Sequence, residues 1–157
     1  MNDGFRIFWE NEEEENVKAT ISKLPKRHQK LLHGYKFKYT PRNTLKGDND
    51  HIGYIHKDKI VVAAPWNYSR EMVTLHEIAH LVFEQLMNVN LKKEWSKLIA
   101  KTKNKQKNDQ HKRCQSALEQ NDEEIFAMTY AATYAKHPPK TYINKDWQKF
   151  ITTKVPS

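Results

Sequence analysis

From Ser69 to about residue 88 the chain places Val73, Leu75, Ile78, Ala79, Val82, Phe83 and Leu86 at helical spacing. That pattern predicts an amphipathic helix packed against a core. Asn67, Tyr68 and Ser69 offer a cap, and Glu71 suits the helix dipole in the first turn. The same stretch contains LHEIAH, so His76, Glu77 and His80 form an HExxH pattern. Residues four apart share one helix face, which aims two imidazoles at a common point. Neutral imidazoles so placed can hold zinc, and Glu77 can act as general base toward a water at the metal.

A catalytic zinc site needs a third protein ligand and an open position. A third histidine six residues beyond His80 is absent, because that position is Leu86, and Glu84 lies a turn too far along the axis. The segment NDEEIFAMTYAATYA supplies better candidates. There Ala127, Ala131 and Ala135 recur at four-residue spacing behind Glu124, a stripe of small side chains that lets one helix approach another closely. Glu124 heads that stripe and is the expected third ligand, with Glu123 as fallback. Glu124 also stands three residues after Asn121, where a capping-box carboxylate would stand.

Composition narrows the alternatives. The chain has 157 residues, 38% of them apolar, which suits one domain with its own core; a single domain over residues 1–157 is expected, with 1–15 irregular. The single cysteine, Cys114, excludes an intramolecular disulfide scaffold. No apolar run is long enough to span a bilayer, and the acidic opening lacks the features of a signal peptide. As written the chain is expected in the cytoplasm, or outside the cell if a leader has been removed. The net charge is +8, and residues 91 to 113 hold nine Lys or Arg against two acidic residues. The whole chain has 22 Lys but only five Arg, of which this segment holds only Arg113, whereas base readers favour guanidinium groups. The segment reads as a solvated face, so no nucleic-acid or membrane partner is expected.

Along the chain, residues 16 to 24 and 25 to 33 read as two helices, the second opened by Pro25. YKFKYT alternates with period two and reads as a strand; residues 51 to 56 and 59 to 64 read as a hairpin turning at Lys57 and Asp58. Further helices are expected over about 91 to 101, 121 to 136 and 140 to 152, with a mobile loop at 101 to 113. His51 and His56 are expected at the surface. Trp9, Trp66, Trp95 and Trp147 are expected as core or interface anchors, with Tyr130 and Tyr134 in the core. Asp48, Asp50 and Gly53 echo a calcium loop, but Ile52 and Lys59 stand where oxygen ligands are required.

LHEIAH followed by EIFAMTYAATYAKHPPKTYINKDWQKFI resembles the zincin domain of the anthrax lethal factor C-terminal type, which includes the Pro-Pro endopeptidases. The resemblance covers most of residues 16 to 152. It implies a gluzincin-type zinc metalloendopeptidase with His76, His80 and Glu124 as ligands, Glu77 as base, and a peptide or protein substrate lying along an edge strand. In that family a loop tyrosine stabilises the oxyanion; the corresponding position here is Ala117, and His111 is the nearest substitute. Two alternatives stay open: a catalytically weakened zincin-like binding module, and a cytosolic peptidase that cleaves regulators, since HEIAHLVFEQL followed by EEIFA also resembles the ImmA/IrrE type. The expected fold is α+β and zincin-like. A small twisted, mostly antiparallel sheet would carry an N-terminal helical layer, the active-site helix and a C-terminal helical half. A monomer is expected.

Overall fold

The computed structural model describes residues 6–8, 11–39, 53–56, 59–62, 70–105, 121–136 and 144–157. Strand β1 (Arg6–Phe8) leads into helices α1 (Asn11–Ser22) and α2 (Lys26–Leu31), and the chain returns as β2 (Lys36–Tyr39). Strands β3 (Gly53–His56) and β4 (Lys59–Val62) follow, then α3 (Arg70–Leu86), α4 (Val89–Lys105), α5 (Asp122–Tyr134) and α6 (Lys145–Thr153).

The expected α+β fold with a mostly antiparallel sheet is corrected here. Helices make up most of the described residues: α3 and α4 are 17 residues long, whereas the strands have three or four residues each. The strands lie in the order β1-β2-β4-β3, and the neighbours β1/β2 and β2/β4 are both parallel. Among the described strands only β3 and β4 pair antiparallel, with Ile55 opposite Ile60. The physical reason lies in the connections. A parallel pair needs a crossover rather than a tight turn, and α1 and α2 supply one between β1 and β2. Residues 1 to 15, expected to be irregular, contain all of β1 and the opening of α1. An acidic run such as Glu12 to Glu15 suits the first turn of a helix.

The chain leaves α2 through Gly34, whose φ of +86° is costly for any residue with a Cβ. The Tyr35 N–H donates to the Leu32 carbonyl at 3.0 Å and closes this turn. Phe37 of β2 is then buried against the helices.

α3 is the central element. Val73, Thr74, Leu75, Glu77, Ile78, Ala79, Leu81 and Val82 are all buried, while Met72, His76, His80 and Phe83 form a partly open stripe. Its most extensive contact is with α5. There Ala127 and Ala131 of the expected stripe are buried and their size permits the close approach, whereas Ala135 is the partly buried C-cap residue just beyond the helix. Glu71, early in α3, accepts from the Lys136 N–H beyond the end of α5, whereas Phe83 packs on Phe126 near its start. The two helices therefore run antiparallel. Glu71 also accepts from the Thr20 hydroxyl at 2.9 Å and so ties α1 to this pair.

An aromatic cluster joins α4, α5 and α6. The Trp95 ring meets Phe126 edge-on at 5.5 Å and also contacts Trp147 and Phe150. The Trp147 indole donates to Thr102 Oγ1 at 3.0 Å. Trp95 and Trp147 are thus core anchors, and Tyr130 is buried with them. Tyr134 is only partly buried, at the edge of the core. Trp9 and Trp66 lie outside the described residues, as do Lys57, Asp58, His51, Cys114 and most of the expected 101–113 loop. α4 continues through Lys105, into the start of that expected loop. α6 starts at Lys145, five residues later than the sequence suggests, because Asn144 caps it by accepting from the Asp146 and Trp147 N–H groups.

His28 is a buried histidine on α2. Its Nε2–H donates to the Pro156 carbonyl at 2.7 Å, and its Nδ1 accepts from the Tyr130 hydroxyl at 2.9 Å. Burial lowers its pKa below the ordinary 6.5, and Arg27 adds to this, while the bond to Pro156 opposes them. The unfolded chain therefore binds the proton more readily, and this contribution to stability, complete above about pH 6.5, is lost as pH falls.

Two outcomes follow from this packing. Ala131→Leu is expected to force α3 and α5 apart and cost about 1–3 kcal/mol, read from denaturant unfolding. His28→Gln, which keeps one donor and one acceptor, is expected to flatten the fall in stability between about pH 7.5 and 5.5 relative to wild type.

Candidate metal centre

α3 carries His76 and His80 on its partly open stripe, one helical turn apart. Their ring centroids lie 5.1 Å apart at an interplanar angle of 70°. Glu77, on the neighbouring face of the same turn, is only 7% exposed.

The opposing carboxylate comes from the first turn of α5. Asn121 is the N-cap of that helix, and its Oδ1 accepts from the Glu124 N–H at 2.8 Å. The Glu124 side chain spans the two histidines. Its Oε2 lies 3.0 Å from His76 Nε2 and its Oε1 lies 3.0 Å from His80 Nε2. The capping and ligand readings of Glu124 are thus compatible: its backbone is capped while its carboxylate faces the imidazoles. Glu123 sits on the other side of the His80 ring, with Oε2 3.7 Å from Nδ1. That places it away from the point where the other three side chains meet.

The start of α5 is fixed by α4. The Trp95 indole N–H donates to the Asp122 carbonyl at 2.8 Å, and Ser96 Oγ donates to the Asp122 carboxylate at 2.6 Å. Sequence reading did not identify Trp95, Ser96 and Asp122 as supports of the site. No local pattern links residues so far apart along the chain, and the Trp95 bond uses a backbone carbonyl that every residue carries.

The electrostatics follow from the geometry. Hydrogen bonds from His76 and His80 hold the Glu124 carboxyl well below the usual carboxylate range, against the cost of its partial burial. Burial disfavours charge on His80, but the hydrogen bond to Glu124 and the nearby charges of Glu124, Glu77 and Glu123 outweigh it and raise its pKa. The cluster is half-open to solvent, with side-chain exposures of 23% for His76, 17% for His80 and 34% for Glu124.

His76, His80 and Glu124 form a group that could hold a metal ion, each offering one donor atom, all within 4.8 Å of one another. The donor chemistry fits. Two imidazole nitrogens and a carboxylate oxygen suit a borderline cation, and tetrahedral zinc with bonds of about 2.0–2.2 Å would separate its ligands by roughly 3.3 Å. The two 3.0 Å contacts use different oxygens of Glu124, so holding one ion would require the carboxylate to turn one oxygen to the centre, within a donor set that already lies inside 4.8 Å. His111 and Ala117, the positions considered for the oxyanion, lie outside the described residues.

No protein-family model, no curated protein and no solved structure matches this chain. The geometry of the centre is therefore what bears on function.

Asn121→Ala removes the cap beneath Glu124. It is expected to cost about 1 kcal/mol of stability by thermal or chemical unfolding. It should also weaken metal binding, measured by competition with a chromophoric chelator.

Proposed function

We propose that this chain is a zinc-dependent metallopeptidase in which His76, His80 and Glu124 hold the ion and Glu77 is the general base. The observation that carries this reading is the convergence of both Nε2 atoms on the Glu124 carboxylate, with Glu77 buried on the same turn of α3. Three protein ligands is the number typical of catalytic rather than structural zinc. When bound, such an ion supplies Lewis acidity toward a carbonyl oxygen and a water.

The chain's own residues carry the remaining steps. The Glu77 carboxylate takes a proton from the attacking water as it adds to the scissile carbonyl, then delivers a proton to the departing amine nitrogen. Burial of Glu77 limits competing bulk water around that transfer. Glu124 and the imidazoles stay fixed, because α3 and α5 are locked through Ala127, Ala131 and the Phe83–Phe126 contact. β3 is an outer strand of the described sheet, and α3 packs against both β3 and β4. An outer strand of the described sheet beside the active helix suits an extended peptide, which can hydrogen-bond along such an edge.

The resemblance of LHEIAH and EIFAMTYAATYA to the lethal factor C-terminal type supports the same reading. It assigns the same four residues to the same roles.

The test compares variants by metal content and by cleavage of a mixed peptide library. Wild type is expected to bind one zinc and to cleave in a chelator-sensitive way. His80→Ala and Glu124→Ala are expected to lose the zinc. Glu77→Gln should retain it while turnover falls by about two to four orders of magnitude. One zinc in wild type without cleavage would refute the peptidase and favour a binding module; cleavage that survives Glu77→Gln would remove the assigned base.

A further inference from the structure

Glu123 and Glu124 are consecutive residues in the first turn of α5, yet they meet His80 on opposite sides. Glu124 Oε1 is 3.0 Å from Nε2, whereas Glu123 Oε2 is 3.7 Å from Nδ1. A step of one residue turns a side chain by about 100° around the helix axis, which lets neighbouring carboxylates flank a single ring. The fallback assignment of Glu123 as a ligand does not suit this placement, since its oxygen lies on the far nitrogen of the ring.

We propose that Glu123 is a positioning residue for His80. A neutral imidazole carries one N–H, and an ionised carboxylate can only accept. When an ion replaces the Nε2–H···Glu124 hydrogen bond, the ring's one remaining proton sits on Nδ1, on the side of Glu123, and the Nε2 lone pair faces the centre. The 3.7 Å separation is longer than a hydrogen bond, so the effect is the pull of a charge on the ring's N–H dipole. Carboxylates behind a metal-bound histidine orient the ring and make the ligating nitrogen more basic. Glu123 is 33% exposed, so water moderates but does not remove this effect. The inference rests on the metal-centre reading and adds a fourth side chain that sets affinity without touching the ion.

The experiment measures zinc affinity by chelator competition on four full-length proteins, with zinc itself as the probe: wild type, Glu123→Ala, Glu123→Gln and Glu84→Ala. Glu84 is an exposed carboxylate one turn after His80 on α3, so Glu84→Ala removes the same charge from the neighbouring turn. Glu123→Ala is expected to bind one zinc roughly 10–100-fold more weakly than wild type, with unchanged helical content by circular dichroism. Glu123→Gln, whose uncharged amide oxygen keeps only a weaker negative end toward the Nδ1–H, should recover a small part of that loss, and Glu84→Ala should match wild type. Equal affinity in Glu123→Ala and wild type would overturn the inference while leaving the metal centre standing. So would an equal loss in Glu84→Ala, which would indicate a general field effect. Complete loss of stoichiometric zinc in Glu123→Ala would make Glu123 a ligand instead. A wild type that binds no zinc would overturn the centre and this inference together.

Discussion

The close, antiparallel contact of α3 with α5 is the constraint on which the rest of the molecule depends. It brings a carboxylate from the first turn of one helix across two imidazoles on the other. Small residues make that contact possible: Ala127 and Ala131 are buried on the face of α5 below Glu124. The ends of the interface are fastened differently. Phe83 and Phe126 pack with tilted rings near the site, and Glu71 accepts from the Lys136 N–H at the far end. A side chain with freedom at either end would not hold two 3.0 Å contacts at once.

The polar groups at this contact are costly to bury, and the structure offsets that cost locally. Glu124 has its backbone N–H satisfied by Asn121 and both carboxylate oxygens engaged by histidines. Asp122, two residues earlier, is engaged at its carbonyl by Trp95 and at its carboxylate by Ser96. The first turn of α5 is therefore held from two sides, by α3 through the histidines and by α4 through the tryptophan and serine. A cation with two positive charges would be well matched to this cluster, where Glu77, Glu123 and Glu124 surround His80.

Much of the candidate site was legible in the sequence because its parts are periodic. The four-residue step from His76 to His80 and the alanine stripe behind Glu124 each follow from helix geometry, which is local. The antiparallel pair was legible for the same reason, since Ile55 and Ile60 face each other in strands only two residues apart in the sequence. The parallel strands were not. β1 has three residues, too few to show alternation, and its partner β2 lies two helices away in the chain. The expected antiparallel sheet thus gave way to two parallel neighbours under a mostly helical structure. The roles of Trp95, Asp122 and Glu123 were hidden for a related reason. Each depends on which residues meet in space, and Glu123 differs from Glu124 only by the turn of one residue around the helix.

X-ray absorption at the zinc edge of the metal-loaded protein tests the central claim most directly, because it reads the ligand atoms rather than their consequences. A centre built by His76, His80 and Glu124 predicts a first shell of nitrogen and oxygen only, at about 2.0–2.2 Å, with the outer-shell scattering of two imidazole rings. A sulfur scatterer at about 2.3 Å, which only Cys114 or a methionine could supply, would contradict the assignment. So would a shell with no imidazole signature.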